Sequence, residues 1–130
     1  MTSIPPRALA LAPDGDHLFV AGGASPQDAE AAVVSSTGTP ADHQPTPFPL
    51  PAGVCPSALR ASASRLWVAD DCQGAVWELP IGPGAVPDAA AAIRHDLPGC
   101  GSPFRLASPV AGALVVACDG ASHLVVVGKD

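Results

Sequence analysis

Three leucines, Leu18, Leu66 and Leu114, stand 48 residues apart and head the same short pattern: HLFVAGG (17–23), RLWVADD (65–71) and ALVVACD (113–119). A repeat of this length marks an architecture in which each unit buries its apolar faces against its neighbours. Upstream of each pattern lies a second apolar segment ending in a turn: RALALAPDGD (7–16), SALRASAS (57–64) and FRLASPVAG (104–112). Downstream lies a third: AAVVSS (31–36), AVWELP (75–80) and HLVVVG (123–128). Each unit therefore reads strand, tight turn, strand, polar loop, strand. A fourth strand fits in TPFPLP (46–51) and in AAAAIRHD (89–96). Local rules pull the second of these towards a helix, because PDAAAAIRHDLPG (87–99) has an Asp cap, an alanine run and a Pro-Gly stop. Its place in the repeat is that of an outer edge strand, and a strand is the expectation.

Composition supports an all-β fold. Of 130 residues, 48% are hydrophobic and 14% charged, which excludes disorder by composition. Sixteen prolines and thirteen glycines favour many turns over long helices. No apolar run approaches the roughly 20 residues that span a bilayer. The formal charge is −6, with one lysine (Lys129) and five scattered arginines. No basic stripe exists to neutralise phosphates, so neither nucleic acid nor an anionic membrane surface is an expected partner.

On the segments ALALAPDGDHLFVA (8–21), ALRASASRLWVAD (58–70) and FRLASPVAGALVVA (104–117), the sequence resembles bacterial β-propeller repeats of the YVTN and NHL type. The first segment carries the family's small-apolar strand, PDG turn and Leu-aromatic-Val strand. The other two lack the PDG, and the Thr-Asn of the YVTN signature is absent from all three. The resemblance implies one propeller-like unit over 1–130, with blades at 5–50, 51–98 and 99–130, the last truncated after its third strand. Three blades do not close a ring, since propellers use four to eight. The expectation is therefore either a piece of a larger protein or a partial propeller completed by a second copy or by another chain.

Cys55 and Cys72 lie symmetrically about the turn at Ala63-Ser64, and Cys100 and Cys118 about Pro109. Each pair brackets a hairpin, so disulfides Cys55–Cys72 and Cys100–Cys118 are expected ahead of the two other pairings. No Cys-x-x-Cys occurs, and the spacing matches no zinc pattern. Disulfides imply an oxidising, extracytoplasmic compartment. MTSIPPRALA has no signal-peptide character, so the expectation is that the numbering starts inside a mature or truncated chain.

The blade reading places Asp70, Asp71 and Cys72 in a loop, with Asp119 as the counterpart in the third unit. His95, Asp96 and His123 lie nearby in the repeat, so acidic and imidazole groups would gather towards one face. A hard cation would want several such oxygens. Aspartate in turns is also ordinary backbone chemistry. The expectation is a stapled loop with no metal, for which Asp70, Asp71, Asp119 and His123 are the candidates. No cofactor and no catalytic residue is expected. Gly-x-Ser-x-Gly is absent, and VAGGAS (20–25) is not a phosphate loop. His17 and His43 read as solvated, and Trp67 and Trp77 as packing between blades rather than a ligand platform.

Two functions remain. The first is a non-enzymatic propeller scaffold or protein-binding unit of an extracytoplasmic assembly. The second is a fragment of a metal-assisted propeller enzyme, lactonase- or lyase-like, which would need carboxylates from several blades, Asp28 and Glu30 among them, to converge.

Overall fold

The computed structural model describes residues 6–23, 25, 27–35, 44–107, 114–119 and 124–127. Among these residues eleven strands form three antiparallel sheets, each a meander in chain order. The first holds β1 (Pro6–Leu11), β2 (His17–Gly22), β3 (Glu30–Ser35) and β4 (Thr46–Pro47). The middle sheet holds β5 (Pro56–Ala61), β6 (Arg65–Asp70), β7 (Ala75–Pro80) and β8 (Ile93–Asp96). The third holds β9 (Ser102–Ala107), β10 (Leu114–Asp119) and β11 (Leu124–Val127). No sheet closes on itself, and no α-helix occurs among the described residues.

The ambiguous segment divides between its two tendencies. Asp88 caps a single 3-10 turn at Ala89–Ala91, its side chain accepting from the Ala90 amide at 3.0 Å. The chain then extends into β8, where Ile93–Asp96 pairs with β7. Alanine propensity yields one turn, and pairing to a waiting edge overrides the rest.

Each sheet has a proline at the first or second residue of its first strand: Pro6, Pro56 and Pro103. In each, the register slips by one residue immediately afterwards, at Arg7, Ser57 and Phe104. A proline at a strand start with an adjoining bulge removes one ladder donor and re-aims the next side chain. At two of the three positions that side chain ties its sheet to the next. Arg7 reaches Asp71 at 3.1 Å, and the Ser57 hydroxyl donates to the Pro103 carbonyl at 2.6 Å.

The sheets pack face to face through one repeated interface. Phe19 and Ala21 of β2 face Leu59, Leu66 and Val68 of the middle sheet in one core cluster. On the opposite face of the middle sheet, Trp67 and Val76 meet Leu106, Leu114 and Val116 of the third in another. The two sides of a sheet thus differ. A leading face presents Leu-x-Val, as in Leu66/Val68 and Leu114/Val116, and a trailing face presents the residues between them. Period-2 alternation in each strand separates the two sets. The middle sheet is covered on both sides, with Leu66, Val68, Val76 and Leu79 fully buried. On the leading face of the first sheet Leu9 and Leu11 are 59% and 60% exposed, Leu18 and Val20 are half-buried and Ala32 is buried.

Candidate functional site

Two places bring together groups with chemistry: the joint at the end of β6 and the groove along the first strands.

Asp70 is the last residue of β6, in phase with Leu66 and Val68, and it is fully buried. Burying a carboxylate is costly unless hydrogen bonds compensate it. Here five donors do so. Oδ1 accepts from the backbone amides of Cys55 (3.0 Å), Cys72 (3.1 Å) and Gln73 (3.3 Å). Oδ2 accepts from the side-chain amide of Gln73 at 2.7 Å and from the Trp77 indole N–H at 3.0 Å. The Cys55–Cys72 disulfide lies beside this carboxylate, with Cα atoms 5.4 Å apart. The Asp71 amide also donates to the Cys55 carbonyl at 3.2 Å. Cys100 and Cys118 form the other disulfide, and no described cysteine is free.

The sequence expectation for this loop needs one correction. Asp70 belongs to a strand and points inward, because the alternation Leu66, Val68, Asp70 continues the buried face. The potential ligand atoms of Cys55, Asp70 and Cys72 lie within 4.8 Å of one another. Both sulfurs are bonded to each other, however, and an ion would have to displace donors that already fill the carboxylate. The cluster is a structural clamp.

Among the described residues the acidic and imidazole groups do not gather on one face. Asp71 is paired with Arg7, whose guanidinium also donates to the Gly23 carbonyl at 3.3 Å. His95 sits within β8 on the trailing face, its Nε2 2.8 Å from Glu78 Oε1. Glu78 is buried and is paired a second time with Arg65. Arg94 bonds Asp96 at 2.6 Å and Gln73 at 2.9 Å, and lies over the Trp77 ring on the leading face. His17 lies 3.1 Å from Asp14, and Asp28 accepts from the Ser25 hydroxyl at 3.0 Å. Glu30 opens β3 in solvent. Asp119 ends β10, while His43 and His123 lie outside the described residues. Trp67 and Trp77 both pack between sheets, on opposite faces of the middle one. The Glu78 cluster was missed in the sequence, although Arg65, Glu78 and His95 share one face once the register is known.

The groove lies where β1, β5 and β9 run side by side, β5 between the other two. It has a volume of about 410 Å³ and is lined by Arg7, Ser57, Leu59, Arg105 and Leu106 among others. Arg105 is exposed there, at the position that alanine (Ala8, Ala58) holds in the other two sheets. The groove is open to solvent and holds no nucleophile paired with a base.

No protein-family model and no curated protein sequence matches the chain.

Proposed function

We propose that the chain is a run of three successive β-propeller blades of the YVTN/NHL type. On this reading it is a non-enzymatic scaffold or protein-binding unit of an extracytoplasmic assembly, completed by blades from another chain or copy. The observation that carries it is the meeting of the three first strands along one groove, with the later strands of each sheet following in order away from it. In a propeller the first strand of every blade lines the central axis, and successive blades pack face to face. The two disulfides fit an oxidising compartment. The filled hydrogen-bonding capacity of Asp70 and the pairing of Asp71, Glu78 and His95 favour a structural over a catalytic use of these groups.

Small-angle X-ray scattering extrapolated to infinite dilution tests the blade reading. The single chain should give a wedge-shaped fan of three sheets about one axis. A flat two-layer sandwich or a straight three-layer stack would overturn it.

A further inference from the structure

Charge is spread unevenly over the three sheets. The chain holds twelve acids and six cations, Lys and Arg together. The first strands β1, β5 and β9 carry Arg7, Arg60 and Arg105 and no acid. Half of the cations thus stand on three short strands, and those strands run side by side along the groove. Arg7 and Arg105 line it, on the two strands that flank β5. Arg60 stands on β5 itself, outside the lining.

Both lining guanidiniums have donors to offer. Arg7 uses two of its five N–H groups, on Asp71 and on the Gly23 carbonyl. Arg105 is exposed and makes no ion pair or hydrogen bond among the described residues, whereas Arg65 and Arg94 are each paired with a carboxylate. The backbone adds further donors between them. The Ala12 amide donates to the His17 carbonyl and the Ser62 amide to the Arg65 carbonyl, both at 2.9 Å. Antiparallel ladders alternate bonded and non-bonded pairs, so these two bonds set the phase of each hairpin. Ala8 and Ala10 bond to β2 while Leu9 turns its amide away from it, and Leu59 likewise turns its amide away from β6. β1 and β5 are edge strands of their sheets, so neither amide has a ladder partner. Leu9 and Leu59 both line the groove, with Leu106 beside them.

We infer that the groove binds a small dicarboxylate. One carboxylate meets Arg105 and the other the remaining donors of Arg7, with the amides of Leu9 and Leu59 between them. The carbon chain of the ligand lies over Leu9, Leu59 and Leu106. A guanidinium fork matches a carboxylate through two parallel hydrogen bonds. Two cations set apart across an apolar floor suit two charges joined by a short carbon chain better than one compact anion. The volume of about 410 Å³ falls within the range of roughly 300–1,000 Å³ that small-molecule sites occupy. The groove is present whether or not the three sheets belong to a propeller, so this site and the blade reading stand or fall separately.

An NMR titration of the oxidised chain with glutarate at low ionic strength tests the inference. Saturable shifts are expected at the amides of Leu9 and Leu59. Valerate, a chain of the same length with one carboxylate, and inorganic phosphate should each bind about tenfold more weakly. Arg105→Ala should weaken glutarate binding by about tenfold. Alanine already holds that position in the other two sheets, as Ala8 and Ala58, so the variant keeps its fold. Arg60→Ala removes the same charge from a neighbouring strand position that is Ala10 and Ala107 in the other sheets. Lying outside the lining, it should change binding by less than about threefold. The absence of saturable shifts at Leu9 and Leu59 overturns the inference. Equal losses from Arg105→Ala and Arg60→Ala also overturn it, because the attraction would then be a general field rather than a site. Phosphate or valerate binding as tightly as glutarate overturns the dicarboxylate class.

Discussion

The first and middle sheets share a strand order, a proline start, a bulge and a Leu-x-Val second strand, yet they are held together differently. The middle sheet is covered on both faces, and its loop joint is closed by a disulfide, a buried carboxylate and an indole N–H. The first sheet leaves Leu9 and Leu11 exposed on its leading face and has no cysteine. Its corresponding joint is made by Gly22 and Gly23. Gly23 has φ +113°, and a Cβ there would stand 2.5 Å from the Asp28 carbonyl oxygen. The middle sheet thus fixes its joint with polar bonds, and the first with close backbone approach. The same repeat position can be filled by opposite chemistry: a buried carboxylate has to be satisfied by donors, whereas a buried glycine pair carries no side chain to satisfy.

The sharpest way to break this comparison is to remove the middle sheet's clamp. Asp70→Ala deprives five donors of their acceptor, three of them backbone amides. Each unsatisfied buried donor costs on the order of 1–3 kcal/mol, and with partial rehydration the loss should be about 4 kcal/mol. Denaturant melts measure it. A loss under about 1 kcal/mol would show that water replaces the carboxylate and that the clamp is dispensable.

A smaller effect separates the two leading faces. Leu66→Ala, at a site with no exposure, should cost about 3 kcal/mol. Leu18→Ala, at the same repeat position but only half-buried, should cost about 1 kcal/mol. Equal costs in dilute solution would mean that the first sheet's leading face is already covered.

The smallest effect belongs to the first sheet's PDG turn. The Asp16 amide, 2.8 Å from Asp14 Oδ1, holds the Asp14 carboxyl below its usual value, and neighbouring His17 adds to this. A depressed folded-state pKa stabilises the fold above the unfolded value of 3.8, and the contribution disappears as pH falls through the lower folded value. Asp14→Asn should therefore leave the melting temperature nearly unchanged at low pH and lower it slightly at neutral pH. Asp14 is fully exposed, so solvent screening keeps the difference small. An effect comparable to that of Asp70→Ala would erase the contrast between the sheets.

Much of this architecture was legible in the sequence. The 48-residue period located every second strand, and the symmetry of the cysteines about two turns matched their pairing. Position in the repeat recovered β8 where alanine propensity argued for a helix. What escaped was the inward aim of Asp70. A polar residue beside a Cys and a Gly looks like loop chemistry, and only the count Leu66, Val68, Asp70 shows that it continues a buried face. The indole partner, Trp77, was hidden for the same reason, since cross-strand register decides which residues face each other. The bulges at Arg7, Ser57 and Phe104 were signalled by the prolines before them, but three unlike residues gave no common motif to read.

The Asp70 clamp also bears on how the chain acquires its covalent bonds. Four thiols admit three ways of joining in pairs. The carboxylate grips the amides of both Cys55 and Cys72 through bonds that need no oxidant, so a folded but still reduced chain already holds these two thiols next to each other. The oxidant then meets a proximal couple, and exchange through a mixed disulfide resolves onto it. The geometry thus favours Cys55 as the partner of Cys72 before any sulfur has reacted, which leaves Cys100 only Cys118 to join.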